Sequence, residues 1–270
     1  VRVCAGHRLG LCAGFCAGLA LALLACQPGR PAPVTLNVYA ASSLTEVGRD
    51  LERAFESAHP DIDVVLSFAG SQVLQLQIES GAQADVFASA DAAHVQALAD
   101  AGLVARRERF AQGELALIVP LDNPAKLRSL ADLPSAQRLV IGSAAGPVGR
   151  YTRELLTLAD THYGPGFEAA VSARVVSSES NVRLARAKVE LGEADAAIVY
   201  RSDAQASDRV RSLPIPAEIN PRADYVMAIL EASPEPAAAA LWLSFVRSTR
   251  GREILLARGF LVAAIEPLES

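Results

Sequence analysis

At 270 residues, 51% hydrophobic and 20% charged, the chain has an ordinary globular composition and enough length for one large domain or two modest ones. Its formal charge of −5 becomes −7 without the first 25 residues, which carry Arg2 and Arg8 and no acid. That acidity argues against a nucleic-acid partner, and it means that any anion site must rely on local dipoles rather than on the overall field.

In chain order, residues 1–25 come first: the two arginines, then the uncharged run "LGLCAGFCAGLALALLA", ending in "LLAC" at 23–26. This is the layout of a secretory signal peptide. Small residues before Cys26 also fit a bacterial lipobox, in which that cysteine is lipidated and anchors the mature protein; the alternative is a plain signal peptide with a chance cysteine. The apolar run sits at the short edge of membrane-spanning length and is rich in Gly and Ala, which disfavours a true span. Residues 26–33, "CQPGRPAP", read as a Pro-rich tether. Cys4, Cys12, Cys16 and Cys26 all lie in this leader, so the body is expected to use neither disulfide nor thiol chemistry.

The body alternates short β-type runs with amphipathic helices, which predicts an α/β fold. "VTLNVYAA" (34–41) reads as a strand. Leu44, Val47, Leu51, Ala54, Phe55 and Ala58 then recur at helical spacing, with Ser43 and Glu46 as a capping box. "IDVVLSF" (62–68) is the next strand, "QVLQLQIES" a helix closed by Gly81, "ADVFAS" (84–89) a strand, and Asp91 opens a helix that Gly102 closes. Strands are predicted at 115–120, 138–142, 173–177 and 195–200, with helices from Gly149 to His162 and from Val182 to Leu191. The last third changes character: "RADYVMAILEAS" (222–233) is strand-like, and two helices follow, expected to pack back onto the first part of the chain.

Enzymatic constellations are scarce. There is no Gly-x-Ser-x-Gly elbow around Ser71, no phosphate-binding glycine loop and no His-Glu-x-x-His. His59, His94 and His162 sit in or at the end of predicted helices, on what reads as their solvent side, and are expected to be structural. Ser71 has only Gln72 beside it, which cannot serve as the base that a serine nucleophile needs. Asp85 and Asp91 could suggest acid/base chemistry or a metal; strand-start and N-cap roles fit them better. What recurs is a junction of strand, small residues and helix start, at "YAASSLTE", "SFAGSQVL", "GSAAGPVGRYTRE" and "SSESNVRLA". A helix start leaves N–H groups unpaired and carries about half a positive charge, so each junction is either a capped helix or an anion seat.

Taken in order, "YAASSLTEV", "FAGSQVLQLQIESGAQADVFASAD", "GPVGRYTRELL", "NVRLARAKVELGEADAAIVYRSDA" and "GREILLARGFL" resemble the periplasmic molybdate-binding proteins of ABC importers over essentially all of 34–262. The resemblance implies a two-lobed type II periplasmic binding protein, each lobe a mixed sheet flanked by helices and joined by crossing strands. Lobe 1 would be 34–117 plus 218–270, and lobe 2 would be 118–217. It implies no enzyme activity and no cofactor. The cargo would be molybdate or tungstate, held by the hydroxyls of Ser43, Ser71 and Tyr200 and the backbone N–H groups of Val148 and Val182, as an intact oxyanion rather than a bare metal cation. Implied partners are an ABC permease with its ATPase and, through Cys26, the membrane; the protein would act as an extracytoplasmic monomer. This chain departs from many relatives at Gly70 and Gln72, where further Ser or Thr is common, and in a short "GSAAGPVG" loop.

A cage made of donors would reject hydrogen phosphate, whose proton finds no acceptor, by roughly 10⁴-fold. It would separate sulfate from molybdate only by size. Rival readings are a receptor for sulfate, thiosulfate or another oxyanion, an enzyme of the same bilobal architecture, and a regulatory sensor. Within the molybdate reading, Ser71 is expected to cap its helix and to form one wall of the cage when the lobes close, with Gly70 letting the ligand approach the backbone.

Overall fold

The computed structural model describes residues 33–262. The signal peptide, the lipobox with Cys26 and the tether before Pro33 lie outside the described residues. Among the described residues no helix is long and apolar enough to cross a membrane.

The body is a mixed α/β fold built on strands in the order β2-β1-β3-β9-β4-β7-β5-β6, with β8 beside β4. The first half is laid down by β1 (Val34–Ala41), which runs parallel to both β2 (Ile62–Ala69) and β3 (Val86–Ser89). In the second half β5 (Leu139–Gly142) runs parallel to β6 (Val175–Glu179) and β7 (Ala196–Tyr200). Two antiparallel strands join the halves: β4 (Val104–Pro120) and β9 (Arg222–Leu230). The segment of β4 up to Glu114 pairs with β9, whereas Leu115–Ile118 pairs with β7 and Leu117–Pro120 with β8 (Val210–Leu213).

Only the last six residues of β4 were legible as a strand, because "RRER" before them is charged. The structure shows why charge is tolerated there. Glu108 is buried and engages both Arg106 and Arg247, and two register shifts, between Val104 and Arg106 and between Arg109 and Ala111, twist the strand locally.

The helices cover both faces. α1 (Thr45–Ala58) buries Val47, Leu51 and Phe55. α2 (Ser71–Glu79) and α3 (Ala92–Asp100) bury Leu74, Ile78, Val95 and Leu98 against Phe87 and Val226. α4 (Pro147–Tyr163), α5 (Phe167–Ser172), α6 (Val182–Glu190) and α7 (Arg201–Gln205) flank the second half. α8 (Pro236–Arg247) and α9 (Thr249–Ala257) return to the first half, where Phe55 meets Trp242 edge-on at 5.2 Å and Phe245 at 5.4 Å. Pro147 starts α4 two residues before the expected Gly149, since proline suits a first helical position where an N–H is orphaned anyway. The short elements α5, α7 and β8, with six, five and four residues, were too brief to show a period.

Two expected caps are different in the structure. Ser43 does not form a capping box with Glu46: residues Ser42–Leu44 make a 3₁₀ turn, α1 starts at Thr45, and Glu46 instead pairs with Arg183 of α6 at 2.6 Å. Ser71 is the first residue of α2 rather than its cap, the N-cap being Gly70 with no side chain to offer. Asp91 does cap α3, accepting from the N–H of His94.

Candidate functional site

The four strand-to-helix junctions converge on one cavity between the two halves of the sheet. Its walls include Ser42, Ser43, Ser71, Gln72 and Ala90 from the first half, and Ser143, Val148, Ser180, Val182 and Tyr200 from the second. All five residues singled out from the sequence, Ser43, Ser71, Val148, Val182 and Tyr200, line it together. The cavity volume is about 20 Å³, against the roughly 10–15 Å³ that one water needs. The space is on the scale of a small ion.

Local structure explains what each group presents. Ser71 is 1% exposed, and its Oγ accepts from the N–H of Ala90 at 3.2 Å, so its own proton is free to be donated. Ser43 Oγ accepts from Tyr225 Oη at 3.0 Å, with the same consequence. Tyr200 Oη is buried and has no hydrogen-bond partner among the described residues. Burial pushes its phenol far above the usual range, so it stays protonated and acts as a donor.

The backbone adds to this set. Pro147 carries no N–H, so Val148 is the first donor of α4. Asn181 caps α6 through its side-chain oxygen, which takes the N–H groups of Arg183 and Leu184 and does not engage that of Val182. α2, α4 and α6 therefore bring three positive helix ends to one point.

No Lys or Arg lines the cavity. Its one ionisable acid, Glu179, is engaged by Lys188 Nζ at 3.4 Å and by Ser177 Oγ. Among the described residues no group of three or more His, Cys, Asp or Glu could hold a metal cation. Asp85 is a structural residue: fully buried, it accepts from Asn37 N at 2.7 Å and from Ser233 Oγ at 2.6 Å. His59 stacks on Phe55, and His162 lies near Glu218. His94 is more enclosed than a solvent-side position implies, its Nδ1 lying 2.6 Å from Gln75 Oε1. None of the three lines the cavity.

Ser42, Ser143, Ser180 and Gln72 were not picked out from the sequence as site residues, although each belongs to a junction motif that was. Gly70 was read as making room for a ligand. In the structure a Cβ there would lie 2.6 Å from Ser180 O across the cavity and 2.7 Å from the Gln72 amide on the same wall, so protein occupies the space beside Gly70.

Several further bridges join the halves around the cavity. Arg150 at the start of α4 donates twice to Asp91 Oδ2, at 3.1 Å each. Arg183 of α6 reaches Glu46 of α1, and the Asp224 N–H of β9 donates to Tyr151 Oη of α4 at 3.1 Å.

A family model for bacterial extracellular solute-binding proteins matches residues 36–261. The chain is 32% identical over 265 residues to the molybdate-binding protein ModA of Mycobacterium tuberculosis (strain ATCC 25618 / H37Rv), covering 93% of this chain and 98% of that one. Among solved structures, the periplasmic molybdate-binding protein of Azotobacter vinelandii superposes with a TM-score of 0.71 at 23% identity, over 84% of this chain and 99% of that one. The sulfate-binding protein SubI of Mycobacterium tuberculosis H37Rv superposes with a TM-score of 0.77 at 16% identity, over 86% and 88% of the two chains. Identities this low carry the fold alone. The chain belongs to the bacterial extracellular solute-binding protein family, and it is a binding protein rather than an enzyme.

Proposed function

We propose that this protein captures molybdate, and tungstate with it, in the cavity between two lobes and delivers it to an ABC permease driven by its ATPase. The observation that carries the reading is the convergence of donors without a cation: the hydroxyls of Ser43, Ser71 and Tyr200 and the starts of α4 and α6 around one small cavity. A buried dianion is costly unless each oxygen is satisfied. Charge-assisted hydrogen bonds of roughly 1.5–3 kcal/mol each supply that compensation. The curated relative named as molybdate-binding, aligned over almost the whole chain, favours molybdate over the other tetrahedral anions.

In this reading residues 34–117 with 218–270 form one lobe and 118–217 the other. Ser43 and Ser71 stand on the first; Val148, Val182 and Tyr200 stand on the second. Only the closed arrangement then offers the full donor set, so the anion favours closure through its differential affinity. The protein works as an extracytoplasmic monomer, held to the membrane through lipidated Cys26 and engaging no nucleic acid.

A thermal-unfolding series with molybdate, tungstate, sulfate and phosphate tests the assignment. A ligand at ~100 times its dissociation constant stabilises by about 2.7 kcal/mol. Molybdate and tungstate are expected to raise the melting temperature, with phosphate inert at the same concentration. A shift with sulfate equal to that with molybdate would make this a receptor for sulfate-type oxyanions instead.

A further inference from the structure

Gln72 sits at the second position of α2, on the rim of the cavity, and is not among the donors assigned above. Its Nε2 donates to the main-chain oxygen of Ser180 at 2.6 Å, a bond that spans 108 positions of sequence and crosses from the first half of the sheet to the loop before α6. Because Ser180 O can only accept, the amide orientation is fixed by chemistry: nitrogen toward Ser180, oxygen away from it. The oxygen is buried without a partner. It lies against the N-cap of α4, where a Cβ on Gly146 would come within 3.1 Å of it. The positive end of α4 offers a favourable place for an unpartnered carbonyl. One amide thus touches the starts of both α4 and α6 from the opposite wall.

The space for that amide is made by two glycines. A Cβ at Gly70 would meet Ser180 O at 2.6 Å and both amide atoms of Gln72 at 2.7 Å. Neither Gly70 (φ −63°) nor Gly146 (φ −94°) has a backbone conformation that calls for glycine. Their missing side chains are explained by the close approach of the two walls and of the Gln72 amide between them. Unlike the ion pairs Arg150–Asp91 and Arg183–Glu46, this bridge is built from a group lining the cavity itself.

We propose that Gln72 is a positioning residue, a strap across the mouth of the cavity that keeps the two walls together and sets how slowly a captured anion leaves. It restrains the wall that carries Val148 and Val182, and through them the donors of the second half. Breaking the strap therefore accelerates opening and release. It leaves encounter almost unchanged, because without the anion one hydrogen bond holds the walls together only part of the time, and the anion enters while they are apart.

The proposal takes its probe from the molybdate reading above, and the experiment separates the two. Stopped-flow dissociation of molybdate is measured for wild type, Gln72→Leu, Gly146→Ala and the double variant. Loss of one hydrogen bond across the mouth predicts a dissociation rate about five- to tenfold faster for Gln72→Leu, with the association rate within twofold of wild type. Gly146→Ala crowds the amide oxygen and should raise the rate in the wild-type background, with little further effect once Gln72 is leucine, as expected for residues in direct contact.

Dissociation from Gln72→Leu within twofold of wild type, or additive effects of the two substitutions, overturns the strap. If wild type binds no molybdate, the ligand assignment fails, and the strap is judged by small-angle scattering of the ligand-free proteins. There Gln72→Leu should have the larger radius of gyration, and identical curves overturn it.

Discussion

Ser43 and Ser71 each accept one hydrogen bond, from Tyr225 Oη and the Ala90 N–H, and this leaves their own hydroxyl protons free to be donated. Tyr200 is different, because its buried hydroxyl has no partner among the described residues. Burying an unsatisfied hydroxyl costs about 1–3 kcal/mol, and that cost is borne by the protein without ligand. Tyr200→Phe removes both the cost and the donor. The variant should unfold at a temperature equal to or above that of wild type when free, while its affinity for molybdate falls by roughly ten- to a hundredfold, the worth of one charge-assisted hydrogen bond. Ser71→Ala should weaken binding by a similar factor but gain no stability, since it also takes the acceptor from Ala90. Calorimetric titration and thermal unfolding of the same samples check both; undiminished affinity in both variants would remove these hydroxyls from the site. The placement of Ser43, Ser71 and Tyr200 around one cavity could be anticipated because they sit in recognisable motifs. The role of Gln72 could not, because its partner Ser180 is 108 residues away and nothing local predicts the contact.

At the scale of elements, the site depends on how closely each helix start approaches the strand end before it. α4 shows this best. A Cβ on Gly149 would lie 1.9 Å from Ser143 O and 2.4 Å from Gly142 O, although the residue is inside a helix and needs no unusual backbone. The glycine lets the first turn of α4 lie directly on the end of β5, which fixes where the Val148 N–H stands. Gly149→Ala would normally favour a helix by about 1 kcal/mol. Here it must push α4 away from β5, so the expected result is a lower melting temperature together with weaker molybdate binding, read by thermal unfolding with and without ligand. A variant as stable as wild type with intact affinity would show that the helix start has slack. Helix boundaries marked by a positive-φ glycine, such as Gly102 (φ 72°) and Gly192 (φ 71°), were legible in the sequence, as was Asp91 at the cap of α3. The capping box at Ser43 was misleading, because Glu46 finds a stronger partner in Arg183 once the halves meet. Local signals stated where helices stop better than how they start, and at the cavity the starts are where tertiary contacts override local capping.

For the molecule as a whole, β4 and β9 carry the chain from one half to the other, and Asp203 in α7 is buried close to the groups that line the junction. Asp203 is 1% exposed, and neither carboxyl oxygen has a hydrogen-bond partner among the described residues. Arg186 lies nearby, but its Nη1 donates to the main-chain oxygen of Asp203 and its Nε faces Glu190 at 3.0 Å. Burial, opposed only in part by Arg186, pushes the carboxyl up from the ordinary 3.8 to about 7. An acid whose folded pKa lies above its unfolded value keeps its proton longer in the native state. The native state therefore binds more protons between about pH 4 and pH 7, and stability falls as pH rises across that window, then levels off above it. Asp195 acts in the opposite sense at lower pH. Burial raises its pKa, but the N–H groups of Gln137 and Arg138 and the Arg138 guanidinium outweigh this and hold it below the usual carboxylate range, so its contribution is lost as pH falls through that lower value. Asp203→Asn keeps the shape and cannot ionise. It should match wild type near pH 4 and exceed it by several kcal/mol above pH 7, because wild type must either bury a charge or hold a proton against the solvent. Denaturant unfolding of both proteins from pH 4 to pH 8 reads the difference. A gap between them that stays constant with pH would mean that Asp203 titrates alike in the folded and unfolded chain, and that its burial carries no proton linkage.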